Sequence, residues 1–220
     1  MEIHSIEQQP TRRPFFSTEF IGHRIANERW DPIRAVLYEY VLAGNGLILR
    51  AQRDEFSVSV PLSHREIKGL PEGFVGIKWH RPRIGADISG EILLHARLRE
   101  EVYLIYWDNS QESWRWRPAG RRRTWASTIA DDRLPEYGEA CIELHTHPPG
   151  ALNFSKADDA DESGKFRIFG ILIDVHDEPK IRFRCGVYDH LIQIPSSWIG
   201  RLPRGIVDLN EIEALLQMML

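Results

Sequence analysis

The chain carries only two cysteines in 220 residues, Cys141 and Cys185, too few for a disulfide framework. No apolar run approaches the ~20 residues that a membrane-spanning helix needs. The opening residues, Met1-Glu2-Ile3-His4-Ser5, show no basic stretch followed by an apolar one, so no secretory leader is expected and the cytoplasm is the expected location. A basic excess is missing as well: 28 Lys+Arg stand against 32 Asp+Glu, for a net charge of −4, which excludes a dedicated nucleic-acid binder. Internal repeats and low-complexity segments are absent. A hydrophobic content of 42% is too high for a chain disordered throughout. What is left is a soluble globular protein of one domain or a little more, with nine histidines, slightly many for its length.

Residues 1–32 are polar, with Pro10, Pro14 and Thr11-Arg12-Arg13, and read as an irregular N-terminal arm. Residues 33–85 read as a small β-rich unit. A strand over 35–42 turns at Gly44-Asn45-Gly46 and returns through Leu49, because Asn-Gly tolerates positive φ. Phe56-Ser57-Val58-Ser59-Val60 alternates like a half-buried strand, and 74–79 is a further strand. Residues 86–200 read as the main domain. Apolar residues at helical spacing run from Ile88 to about Arg99, and the apolar run 102–107 reads as a buried strand. Trp114-Arg115-Trp116-Arg117 pairs back on it. Gly120-Arg121-Arg122-Arg123 reads as a solvated basic loop. The strand 141–147 runs into Pro148-Pro149-Gly150, a short helix starts at Ser155, and strands 166–175 and 181–188 form a hairpin through Asp177-Glu178-Pro179-Lys180. Within 201–220, Leu209, Ile212, Leu215, Leu216 and Met219 have helical spacing and predict a C-terminal helix.

The chemistry concentrates between Glu143 and Asp158. Side chains two apart on a strand share a face, so His145 and His147 can present two imidazoles to one point. Pro148-Pro149-Gly150 stops the strand, and the chain is long enough to bring Asp158 back. Two His and one Asp make a three-ligand set with a fourth position open to water, the arrangement of a catalytic rather than a structural zinc. Such a site also needs a base. Glu101, at the mouth of the apolar strand, is the candidate, with neighbouring Glu100 as the alternative. Ser155 could support the oxyanion of a tetrahedral intermediate. A purely structural reading stays open: Ser155-Lys156-Ala157-Asp158 also fits a helix capping box, and the two roles are compatible. Asp161, one helical turn after Asp158, can back up a ligand histidine or be solvated surface.

The string His145-x-His147-Pro148, then Ser155-x-x-Asp158, resembles the metal motif of the JAB/MPN (JAMM) metalloproteases. Ile92-Leu93-Leu94-His95-Ala96-Arg97 followed by Glu100-Glu101-Val102 looks like that family's helix and catalytic-Glu strand, and the 44 positions from Glu101 to His145 are similar to its usual separation. The resemblance covers about residues 86–195. More narrowly, residues 154–161 and 181–187, with Gly44-Asn45-Gly46-Leu47-Ile48-Leu49, look like the protein A group of bacterial PRTRC cassettes. The chain departs from the family where glycines commonly follow the catalytic Glu, and Phe154 replaces the usual Pro before the Ser.

The resemblance implies an α/β, cytidine-deaminase-like JAB/MPN fold, a mixed sheet flanked by helices, here with an N-terminal β-rich extension. It implies Zn2+ held by His145, His147 and Asp158, Glu101 as the base and Ser155 at the oxyanion. The implied activity is an isopeptidase, deubiquitinase-like, that removes a bacterial ubiquitin-like protein from its targets beside E1-like and E2-like partners, in phage defence or on a mobile element. The substrate tail would add as a strand to a sheet edge, with Trp114, Trp116 and Trp125 near that surface or in the core. Two alternatives stand: a processing peptidase that matures a ubiquitin-like or sulfur-carrier precursor, and a non-catalytic MPN scaffold. No nucleic-acid or membrane partner is expected.

Overall fold

A computed structural model of the chain describes residues 19–97, 101–124 and 127–218. Two large sheets and a separate two-stranded ribbon build it. The first has five strands in sequence order: β1 (Ile21–Ile25), β2 (Tyr38–Ala43), β3 (Gly46–Gln52), β4 (Phe56–His64) and β5 (Gly76–Trp79). All its pairs are antiparallel except β1–β2, which is parallel. At the β2–β3 turn Gly46 has φ 125°, and a Cβ there would stand 2.0 Å from the Ser63 carbonyl oxygen, so only glycine fits.

β1 corrects the expectation of an irregular arm through residue 32. Its sequence, Ile-Gly-His-Arg-Ile, hides its inward face. Gly22 lies against the Glu39 and Ala35 side chains, and Arg24 donates to fully buried Glu39 at 2.6 Å. An ion pair turned inward leaves no apolar alternation to read.

The remaining elements are α1 (Ala86–Ala96), β6 (Val102–Asp108), β7 (Ser113–Pro118), β8 (Gly120–Thr124), β9 (Ser127–Ala130), α2 (Pro135–Glu139), β10 (Ile142–Thr146), α3 (Lys156–Glu162), β11 (Lys165–Ile173), β12 (Lys180–Tyr188), β13 (His190–Ile194), β14 (Val207–Asp208) and α4 (Leu209–Met218). The second sheet runs β13-β12-β11-β10-β6-β7, with β14 against β12. It is mixed: β10–β11 and β12–β14 are parallel and the rest antiparallel. The fold is therefore α/β, with mixed sheets and few helices.

Two further expectations change. Gly120–Arg123 is not a loop. It lies in β8, paired antiparallel with β9, and Ala119 ties this ribbon to β6 by donating to the Val102 carbonyl. A run of charges reads as solvated, but backbone pairing does not depend on side-chain polarity. The C-terminal helix starts only at Leu209. Pro203 and Gly205, at φ 90°, do not favour helix before it, and Asp208 Oδ1 accepts from the Asn210 and Glu211 amides.

One core serves both sheets. Leu49, Phe56 and Val58 of the first are buried in the same cluster as Trp107, Ile142, Leu172 and Phe183 of the second. The Phe56 ring lies 5.2 Å from Trp79 and 5.4 Å from Phe166, and Tyr40 Oη bonds His190 Nε2 at 2.9 Å. Residues 33–85 thus complete the core over the second sheet, and a larger shared core buries a larger share of apolar surface. Among the described residues no helix is long and apolar enough to cross a membrane.

Candidate metal centre

β10, the loop after it, α3 and the parallel strand β11 form one β-α-β unit. Ligand sites of open α/β sheets sit outside the carboxyl ends of such strands. Strand alternation puts Glu143 and His145 on one face, and His147 follows one step beyond β10, its amide still donating to the Leu172 carbonyl at 2.9 Å. The chain then turns away through Pro148-Pro149-Gly150. Asp174 Oδ1 accepts from the Gly150 amide at 3.0 Å, and Arg182 Nε donates to the Leu152 carbonyl at 2.9 Å, so the loop is fastened at two points.

α3 opens on a capping box. Ser155 Oγ accepts from the Asp158 amide at 3.3 Å, and Asp158 Oδ2 accepts from the Ser155 amide. The cap fixes the Asp158 carboxylate and aims it. Oδ1 stands 3.3 Å from His145 Nε2 and Oδ2 stands 3.4 Å from His147 Nε2, with the two Nε2 atoms 2.9 Å apart. Capping therefore leaves the Asp158 carboxylate where it could also serve as a ligand, so the two readings of this residue are compatible in one geometry.

The spacing is a test of what the group can hold. Three corners of a tetrahedron around an ion with ~2.0–2.1 Å bonds are about 3.3 Å apart. The two Nε2 atoms, 2.9 Å apart, and the contacts of His145 with Asp158 Oδ1 at 3.3 Å and of His147 with Asp158 Oδ2 at 3.4 Å are of that order, with each imidazole facing its own oxygen of the carboxylate. Among the described residues these three form a group whose ligand atoms all lie within 4.8 Å of one another, so they can hold a metal ion. His147 Nδ1 faces the Ala151 carbonyl at 3.1 Å; as donor there, it leaves Nε2 as the nitrogen that could ligate an ion.

Electrostatics agree with the geometry. Burial alone would raise the Asp158 pKa, but bonds from both imidazoles and the Ser155 amide outweigh it and hold the carboxyl well below the usual range. Burial would lower His147, yet its bonds to Asp158 and the Ala151 carbonyl win and raise it. The cysteines have no part here: both are buried, and burial pushes the Cys185 thiol up to about 12.

Glu101 is placed beside the site by its backbone. Its amide donates to Thr146 Oγ1 at 3.1 Å, one step along the ladder from the His145–Val102 pair, while its carboxylate lies outside the 4.8 Å group. Glu100 and Trp125 lie outside the described residues. Trp114 is buried and donates to the Pro82 carbonyl, and Trp116 donates to Glu91 on α1, so both are packing residues. His95 bonds Tyr103 Oη at 3.1 Å, as a structural histidine does.

Sequence reasoning missed the supports. A cavity of about 140 Å³ opens beside His145 and Asp158, with Glu143 and Glu162 in its wall. Glu162 is 2% exposed; Arg184 Nε donates to its Oε2 at 2.6 Å, and its Oε1 has no hydrogen bond among the described residues. Burial raises Glu162 to about 8 against the pull of Arg184. Arg184 also donates to Asp159 at 2.6 Å and stacks over Phe154 at 3.8 Å, locking α3 onto β12. The available signal was the alternation of Arg182 and Arg184 with Ile181 and Phe183.

No protein-family model matches this chain, and no curated protein or solved structure matches it.

Proposed function

We propose that this chain is a zinc-dependent isopeptidase of the JAB/MPN kind, with a cytidine-deaminase-like core. It would hydrolyse the bond after the C-terminal tail of a ubiquitin-like protein and so release that protein from its targets. The observation that carries the reading is the convergence of His145, His147 and Asp158, with both Nε2 atoms within 3.4 Å of the Asp158 carboxylate, on a strand end and a helix cap. Two imidazoles and one carboxylate suit zinc and leave a fourth position for water or substrate, and the motif that brings them together resembles that family's. When bound, zinc supplies a Lewis acid and a water acidified toward neutral pH.

The protein's own residues then divide the work. Asp158 and the two histidines hold the ion, and the Ser155 cap keeps the carboxylate aimed. Glu101, pinned through its backbone to Thr146, takes the proton from the attacking water and passes it to the leaving amine. Ser155 Oγ accepts from the Asp158 amide, which leaves its O–H to donate to the oxyanion. An extended substrate tail adds as a strand to a sheet edge, and β7 is such an edge. E1-like and E2-like proteins acting on the same ubiquitin-like protein, in the cytoplasm, are the partners this reading calls for.

The test is incubation of the zinc-loaded protein with a ubiquitin-like protein conjugated through Lys, beside the same protein carrying a linear extension. Cleavage of the Lys conjugate is expected. Cleavage of the linear form alone would replace the isopeptidase with a processing peptidase, and cleavage of neither, with zinc bound, would leave a scaffold.

A further inference from the structure

β11 ends at Ile173, and the residue that follows it is strained. Asp174 has φ 53°, in the left-handed region. Residues other than glycine are uncommon there, although Asp and Asn tolerate it better than most. Such a residue persists where its surroundings over-determine it, and residues of this kind cluster at functional sites. The Asp174 carbonyl accepts from the Asp177 amide at 3.1 Å, which turns the chain towards β12.

Both oxygens of its carboxylate are engaged. Oδ2 accepts from Lys180 Nζ at 2.7 Å, and Oδ1 accepts from the Gly150 amide at 3.0 Å. Lys180 opens β12 and pairs with Ile173. One oxygen is therefore tied to the second sheet and the other to the loop that follows His147.

That loop carries the group that orients a candidate ligand. His147 Nδ1 faces the Ala151 carbonyl at 3.1 Å. Within the loop, the Ala151 and Leu152 amides bond back to the Pro148 and Gly150 carbonyls, which closes the turn on itself without joining it to the sheet. Side-chain packing does not fix it at Gly150, where an added Cβ would meet nothing within 4 Å. The loop is joined to the sheet by Asp174 at Gly150 and by Arg182 at the Leu152 carbonyl, one on either side of Ala151.

We propose that Asp174 is a positioning residue for His147. Acting through Gly150, it holds the Ala151 carbonyl where Nδ1 meets it, and so keeps Nε2 turned towards His145 and Asp158. This rests on the metal-centre reading and not on the isopeptidase activity.

Zinc affinity, measured by competition with a chelator, tests it. Asp174→Gly removes the carboxylate while keeping a residue that takes φ 53° readily. It should raise the zinc Kd ~10–100-fold, the usual weight of a partner that orients a ligand. Asp174→Asn keeps an acceptor for Gly150 and tolerates the same φ, so its Kd should stay close to the parent's. Equal losses in the Gly and Asn variants would make the effect one of charge and overturn the proposal. Lys180→Gln frees one side of the carboxylate and carries the test if Asp174→Gly does not fold. Loss of a positive charge by itself favours a bound cation, whereas positioning predicts a higher Kd. A purely structural role would move the urea midpoint of the metal-free protein and leave the Kd alone. An unchanged Kd in Asp174→Gly, or a lower one in Lys180→Gln, overturns the proposal while the metal centre stands. A parent protein that binds no zinc overturns both.

Discussion

Zinc should raise the unfolding temperature of this protein, and the size of the rise can be worked from the site. The two Nε2 atoms stand 2.9 Å apart, and each lies within 3.4 Å of one oxygen of the Asp158 carboxylate, so the donors are gathered before an ion binds. Little rearrangement is required, because the Ser155 cap, the Ala151 carbonyl and the Arg182 and Asp174 bonds fix the loop and helix beforehand. The unfolded chain scatters these three residues, so nearly all the binding energy favours the folded state. At a thousandfold excess of zinc over Kd the stabilisation is ~4 kcal/mol. For a chain of this length each kcal/mol moves the midpoint by ~2–4 °C, which predicts a rise of ~8–16 °C. Calorimetric melts across a zinc titration should show it, excess chelator should reverse it, and elemental analysis should find one zinc per chain. His145→Ala removes one ligand and should reduce the rise to within ~2 °C. A parent protein whose midpoint does not move with zinc, or a His145→Ala variant that keeps the full rise, would refute the metal centre.

Glu101→Gln should keep the zinc-dependent melting shift while turnover on a Lys conjugate falls by roughly 10²–10⁴, the usual share of a general base; loss of metal binding instead would make Glu101 structural. Ser155→Ala should lower stability by about 1 kcal/mol through the lost cap and raise the zinc Kd ~10–100-fold through a loosened Asp158, measured by urea unfolding and competition with a chelator. Glu162→Gln tests the buried acid through pH. Its folded pKa, about 8, lies above the ordinary carboxylate value, so the folded state holds the proton more tightly and the parent loses stability as pH rises from about 5 to about 8. Urea midpoints of parent and Glu162→Gln should therefore be close at pH 5 and separate by pH 8 in favour of the variant; a gap that stays constant or reverses sign counts against this.

The parts of the fold that were legible in the sequence are those where periodicity and burial coincide. β3, β4, β6, β11 and β12 are apolar or cleanly alternating and lie within a few residues of their expected positions. The His145, His147 and Asp158 group was legible because strand period, a Pro-Pro-Gly stop and a capping box are all local signals. What was not legible depends on partners distant in sequence. β1 is held by Glu39, β8 pairs with β9 although its residues are charged, and α2 is a short helix with none of its residues buried. The joint core was likewise invisible, since nothing in Phe56 indicates that it packs on Phe166.

β12 shows why an alternating pattern is ambiguous. Ile181, Phe183 and Cys185 face the core, and Arg182 and Arg184 between them read as the solvated side of a half-buried strand. Both arginines are nevertheless buried, at 2% and 6% exposure. The reason is that helices cover this face. Arg182 reaches Asn210 and Glu213 on α4, and Arg184 reaches Asp159 and Glu162 on α3. Burying a guanidinium is unfavourable unless its donors are met, so such residues persist where their bonds fix a geometry. Here the same two side chains hold the Leu152 carbonyl and the helix that presents Asp158. The loop and helix that bring Asp158 to His145 and His147 are thus anchored to the sheet through charged residues, and directional anchoring of this kind can keep the three side chains converged.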